Sequence, residues 1–246
     1  MVPLTASRSG WRCSFSQDGI SVITPEGHSG KYRLLKAPYC GKCSSPGVTT
    51  GECGWHWKNA IERTYAVGAY LSYERDDSRN DLLSNHIREL KHYVSYSLPL
   101  GWAMSLCVDN VYPELKHADV IVPVPKHPDE LRIDYSTRAP YNQAEELANT
   151  LGKDIGMKVT TAVVKTRPHS QTGQSWANRV EESDGLYVLS SDFDTQGKTI
   201  LMVDDVRTSG GTLSACAREL LKNGARKVNA FVVGREARRE WKPQAD

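Results

Sequence analysis

The sequence predicts an α/β fold, a parallel sheet flanked by helices, with a small cysteine-rich module toward its amino terminus. Three observations carry that expectation. From Ala118 onward, short apolar runs such as "VIVPV", "TILMV" and "NAFVV" alternate with stretches of helical period. Several of these runs are apolar at every position, as strands covered on both faces are. Residues 39–57, "YCGKCSSPGVTTGECGWHW", gather three of the six cysteines among small and turn-forming residues.

The elements follow in chain order. Residues 1 to about 36 read as short strands broken by the turns "QDG" and "PEGHSG". "TYAVGAY" is a strand. In "NDLLSNHIRELKHYVSYSL" the residues Leu83, Ile87, Leu90 and Val94 make one stripe of an amphipathic helix capped by Asn80. "ADVIVPVP" is a strand. "PYNQAEELANTLG" is a helix with Tyr141, Ala144, Leu147, Ala148 and Leu151 on its buried side and Gly152 placed to stop it. "MKVTTAVVK" and "GLYVLS" are strands on either side of the polar loop "TRPHSQTGQSWANRVEESD". "TILMV" is a central strand, and "TLSACARELLKNG" is its crossover helix, with Leu213, Ala217 and Leu220 on one face and Gly224 beyond the last turn. "RKVNAFVVG" is the final strand. The expected division is a strand, turn and cysteine region over 1–62, an α/β domain over 63–240, and a tail over 241–246.

Charge excludes some partners. Lys plus Arg number 31 against 29 Asp plus Glu, a formal net charge of +2. That balance argues against nucleic acid or a membrane surface as the main partner. Arg235, Arg238, Arg239 and Lys242 read as a solvated helix end rather than a phosphate contact. The opening "MVPLTASRSGWRC" lacks the apolar core of a signal peptide. No run approaches the ~18 apolar residues of a membrane span. A soluble, cytoplasmic protein is expected, whose cysteines are metal ligands or buried thiols rather than disulfides.

"TILMVDDVRTSGGTLSACAREL", residues 199–220, carries the chemistry. The turn "RTSGGT" joins the carboxyl end of a core strand to the amino end of a helix, the edge where open α/β sheets bind ligands. Unpaired helix amides and the helix dipole suit a phosphate there. Gly210 and Gly211 let the backbone approach, while Thr208, Ser209 and Thr212 offer hydroxyls. The ATPase-type phosphate loop is excluded, because its lysine is absent. Asp204 and Asp205 are pure acceptors that suit neighbouring hydroxyls of a sugar ring. Together the turn and the acids describe a site for a ribose 5-phosphate unit. A simple acidic helix cap is the alternative for the two aspartates taken alone.

These residues resemble the phosphoribosyl-diphosphate-binding motif of the type I phosphoribosyltransferases. The resemblance implies that family's fold, with Asp204 and Asp205 on the ribose hydroxyls and Thr208, Ser209, Gly210, Gly211 and Thr212 on the 5-phosphate. Arg207 stands where the family usually has an apolar residue. A wider likeness, over roughly residues 65–235, is to the ComF-like branch associated with competence and DNA uptake. "ADVIVPVPKH" with "RAPYNQAEELA" is similar to its first strand, pyrophosphate loop and helix. "KTRPHSQTGQSWANR" is similar to its mobile loop, with Gln171, Gly173, Ser175 and Arg179 in order. "AVGAY" and "IRELKHYVSY" resemble the preceding strand and helix. Ala139 and Pro140 replace a glycine usual in the branch. The implied reaction transfers ribose 5-phosphate from phosphoribosyl diphosphate, held with magnesium, to a nucleobase-like nitrogen acceptor. Lys126, His127 and Arg167 are then the candidates for pyrophosphate contacts, with His127 also considered as a general acid.

Cys40, Cys43, Cys53 and His56 form C-x2-C, a gap of nine residues, then C-x2-H. Two short-spaced pairs suit a filled, tetrahedral and hence structural zinc site. ComF-like proteins commonly carry an amino-terminal cysteine cluster, which agrees. Cys13 is an alternative fourth ligand, and Cys107 and Cys216 read as small core residues. Trp55 and Trp57 pack around the module or stack on single-stranded DNA. Two functions remain in view. One is an active transferase. The other is a sensor or scaffold that binds phosphoribosyl diphosphate while the module engages DNA or a protein. A homodimer is common in the superfamily.

Overall fold

The computed structural model describes residues 5–48, 60–73, 79–168 and 185–237 of the chain. Its centre is a parallel sheet of four strands, β5 (Thr64–Tyr70), β12 (Lys227–Glu236), β11 (Thr199–Arg207) and β6 (Val120–Pro123), in that spatial order. The all-apolar strands belong here because each face meets a separate core. Leu201 and Val203 of β11 point into one, with Phe231 and Val233 of β12, against helices α1 (Leu82–Glu89), α2 (Ser97–Asn110) and α3 (Gln143–Ile155). Ile200 and Met202 point the other way, toward helix α4 (Gly211–Lys222) and the two-stranded ribbon of β9 (Val163–Lys165) and β10 (Tyr187–Leu189). Alternation along one strand thus fills two cores.

Ahead of this body, β1 (Thr5–Arg8), β2 (Trp11–Ser16), β3 (Gly19–Ile23) and β4 (Ser29–Tyr32) form an antiparallel meander. Trp11, Cys13, Ile20, Val22 and Tyr32 join the same core as α1 and α2. At that seam His86 of α1 lies among Trp11, Tyr32 and Tyr96, with Tyr32 Oη 2.6 Å from its Nδ1. Burial pulls the imidazole down to a pKa of about 4. A group whose folded pKa lies below its unfolded value contributes stability above the unfolded pKa and loses it on acidification. Wild type should therefore lose stability from pH 6.5 toward 4, by about 1.4 kcal/mol per unit at most. A His86→Gln variant with the same acid slope in thermal melts would sink this account.

Several local expectations need correction. The cap of α1 is Asp81, not Asn80, since Asp81 Oδ2 accepts from Ser84 N at 2.8 Å. The stripe from Leu83 to Val94 is broken: α1 ends at Glu89, and Val94 begins a separate 3-10 turn. Gly152 does not stop α3. It lies inside the helix, where a Cβ would fall 2.5 Å from Val159 Cγ2, so its role is close packing. The stop is Gly156, at φ 70. Tyr141 sits before the helix in β8 (Pro140–Tyr141), paired with β7 (Arg132–Ile133). Helix α2 had no periodic signal because it is buried on nearly every side, from Ser97 through Val108. The segment from Met157 to Lys165 is strand-like only at Val163–Lys165, apart from a lone parallel bridge of Val159 to Ile121. Among the described residues, no helix is long and apolar enough to cross a membrane.

Candidate active site

Strand β11 runs past its apolar stretch. Asp204, Val206 and Arg207 still pair with Val232, Gly234 and Arg235 of β12, so the ladder continues beneath the acids. On the other side, pairing with β6 ends at Val203 and Pro123. Val124 N makes one last bond to Val203 O, 2.9 Å, and the chain turns away. The prolines at 123 and 125 cannot donate to a further ladder. Among the described residues strand β11 thus has no neighbour on that side of its two aspartates, and a cleft of about 760 Å³ opens there. Its walls come from the loop after β6, from Lys165 and Tyr187 of the ribbon, and from Thr212 of α4.

Both aspartates are half-buried and line this cleft. The nearest hydrogen-bond donors are backbone amides: Asp205 N to Asp204 Oδ1 at 2.9 Å, and Val206 N to Asp205 Oδ1 at 2.7 Å. Burial first, and then the charge of Asp205, push Asp204 up to about 8, while Lys126 across the cleft pulls the other way. A simple helix cap would look different. Gly210 occupies the cap of α4, at φ 83, with no side-chain cap bond, so the acids do not fill that role. Gly210 is required twice over: a Cβ there would be strained and would meet the Arg207 guanidinium at 2.7–2.9 Å. Arg207 therefore lies beneath the turn, 3% exposed, reaching Thr64 Oγ1. Thr208 and Ser209 are exposed above it.

The expected pyrophosphate contacts are not brought together equally. Lys126 is exposed on the cleft wall and acts on Asp204. His127 instead holds its own turn together. Its Nδ1 accepts from Asp129 N at 3.3 Å and its backbone N donates to Glu130 Oε2 at 3.2 Å, closing a capping box. It does not line the cleft. Arg167 is exposed and also off the cleft wall, although Pro168 is on it. Gln171, Gly173, Ser175 and Arg179 lie outside the described residues.

Several cleft residues escaped sequence reasoning, Lys165, Glu130 and Tyr187 among them. Lys165 Nζ is 2.6 Å from each carboxylate oxygen of Glu130, and Lys165 is 8% exposed. The available signal was positional: in β9 Val163 faces inward and Val164 outward, so Lys165 must face inward and needs an acid. Tyr187, its neighbour on β10, hydrogen-bonds the side chain of Thr212, and burial raises its phenol.

Cys40 and Cys43 sit in one buried tight turn, with Ser44 N on Cys40 O at 2.9 Å and Cys40 N on Ser45 O at 3.0 Å. Cys53 and His56, like Trp55 and Trp57, lie outside the described residues. Cys13 is engaged elsewhere, its thiol 3.8 Å from Pro99 O between β2 and α2. Burial lifts its thiol to about 12. Cys107 and Cys216 are core residues, as expected. Arg235 ends a strand rather than a helix, while Arg238, Arg239 and Lys242 lie outside the described residues.

Asp204, Asp205 and Thr212 line one cleft at the sheet's carboxyl edge, while Thr208 to Gly211 between them are not on its wall. The strand, acid pair, glycine turn and helix follow one another as in the type I phosphoribosyltransferase fold. Residues 140–246 match the family described as "Phosphoribosyl transferase domain". Over 92% of its length the chain is 23% identical to competence protein F of Haemophilus influenzae, covering 97% of that protein. The chain is thus similar to competence protein F over nearly its whole length, and to the phosphoribosyl transferase family over its carboxyl-terminal part. It is also 39% identical over 56 residues to ribose-phosphate pyrophosphokinase 3, chloroplastic, of Oryza sativa subsp. japonica. That match spans 23% of this chain and only 14% of the rice protein. A solved structure of glutamine phosphoribosylpyrophosphate amidotransferase from B. subtilis aligns at 16% identity over 89% of this chain and 37% of that one, with a TM-score of 0.37. At that level the likeness decides nothing.

Proposed function

We propose that the chain transfers ribose 5-phosphate from phosphoribosyl diphosphate to a nucleobase-like nitrogen acceptor. The observation that carries this reading is the shared cleft: Asp204, Asp205 and Thr212 line it together, with Lys126 opposite. In the reaction the bond from ribose C1 to the pyrophosphate oxygen breaks, the acceptor nitrogen bonds C1, and the acceptor's proton passes to solvent. Asp204 and Asp205 would accept from the ribose hydroxyls and offset positive charge growing on the ring. Thr208 to Thr212 would hold the 5-phosphate at the start of α4. Lys126 would meet the pyrophosphate, with Arg167 and His127 as the weaker members of that set.

Magnesium fits this donor set, since two adjacent carboxylates are hard oxygen ligands and the ion is commonly completed by substrate phosphates and water. When bound it would neutralise the departing pyrophosphate. Among the described residues no group of three or more metal-ligating side chains occurs, so the ion would arrive largely on the substrate. Phosphoribosyl diphosphate with magnesium should bind in calorimetry, and a screen of nucleobases should release pyrophosphate. Tight binding with release by none would favour the second reading, a phosphoribosyl-diphosphate sensor or scaffold, to which the likeness to competence protein F lends support. In that reading the cysteine module engages DNA or a protein. The module, within residues 1–62 ahead of a 63–240 catalytic domain, would hold structural zinc on Cys40, Cys43, Cys53 and His56. Purified protein should contain about one zinc per chain. A Cys40→Ser variant that keeps zinc and melts like wild type would remove this assignment.

A further inference from the structure

We propose that the Cys40–Cys43 turn is the floor of the phosphate turn, and that Arg235 couples the state of one to the other. This rests on the functional reading above for its ligand, but its contacts stand without it. Arg235 lies near the end of β12, where it pairs with Arg207 of β11. Its Nε donates to Cys43 O at 3.1 Å, while its Nη1 donates to Arg207 O at 2.7 Å and Thr208 O at 2.5 Å. One guanidinium therefore ties a carbonyl of the cysteine turn to two carbonyls at the start of the phosphate turn. A planar, rigid fork can do this, and a single ammonium cannot reproduce it.

A second bridge runs in parallel. Thr64 N donates to Lys42 O at 2.8 Å, and Ser44 Oγ donates to Thr64 O at 2.7 Å. The hydroxyl of the same Thr64 accepts from Arg207, whose guanidinium packs directly under Gly210. Thr64 is fully buried and Arg207 nearly so, so neither can shift without displacing a neighbour. On its inner side the phosphate turn thus rests on Arg207 and Arg235, and both are tied to the cysteine turn. Any event that opens the Cys40–Cys43 turn should loosen the amides and hydroxyls of residues 208–212. By linkage, a ligand that orders those residues should close the cysteine turn.

The test uses the full-length protein and two readouts. The first is the calorimetric dissociation constant for phosphoribosyl diphosphate with magnesium. The second is the alkylation rate of Cys40 and Cys43 by iodoacetamide, followed by peptide mass mapping. Arg235→Lys should weaken binding about tenfold and speed alkylation of both cysteines without ligand. In wild type, saturating phosphoribosyl diphosphate should slow that alkylation about five- to tenfold. This arm needs no variant and holds even if Arg235→Lys folds poorly. Unchanged alkylation of the wild type on saturation overturns the proposal, as does a variant with weaker binding but unaltered cysteines. Should wild type bind no phosphoribosyl diphosphate, the functional reading fails. The coupling is then decided by whether Arg235→Lys exposes Cys40 and Cys43, and unchanged rates sink it.

Discussion

Replacing both Asp204 and Asp205 by asparagine should abolish measurable binding of phosphoribosyl diphosphate. On the proposed function each carboxylate would accept a charge-assisted bond worth about 1.5–3 kcal/mol, so the pair would account for roughly 3–6 kcal/mol, a factor of about 10² to 10⁴. Asparagine keeps the size and one acceptor but loses the charge that would balance a cationic ring. The fold should tolerate the change, because the strand ladder beneath both residues is made by backbone atoms. Calorimetry on the double variant and wild type decides the matter, with circular dichroism as the folding control. Equal affinities would remove the acids from the site.

The same acids should shape stability in the opposite direction. Burial and the neighbouring Asp205 charge raise Asp204 to about 8, above an ordinary carboxyl. A carboxyl raised on folding holds a proton that the unfolded chain releases, so stability falls as pH rises toward the folded pKa. His86, lowered to about 4, has the reverse effect but is exhausted above pH 6.5. Between pH 6.5 and 8 Asp204 should therefore dominate over His86, at about 1.4 kcal/mol per unit at most. Asp204→Asn should flatten this slope and melt higher than wild type at pH 8. Thermal melts across that window test it, and a variant less stable than wild type at pH 8 would contradict the origin given for the shift. Binding at pH 7 should also release a proton, visible as a dependence of calorimetric heat on the buffer. Function and stability would then be opposed at one position, as buried charge at binding sites often is.

Much of this protein was legible in its residues. Apolar runs of strand length, helical stripes and a strand–acid–glycine–helix order all involve near neighbours in the chain, and local periodicity reports which face is buried. Strand β11 with its acidic end, α4 and the alternating strands were found this way. Helix α2 was hidden for the converse reason: uniform burial leaves no stripe to detect. That His127 caps its own turn was not legible, because the sequence does not say which loop histidine closes on its neighbours.

Residue order alone establishes most kinds of element and their succession, and it marks the acid pair and glycine turn at a strand's carboxyl end. What meets across the chain emerges only on packing: Glu130 with Lys165, 35 residues apart, and Arg235 with Cys43, 192 residues apart. Such partners are chosen by how packed layers bring distant strand ends together, and no periodicity along the chain records that distance.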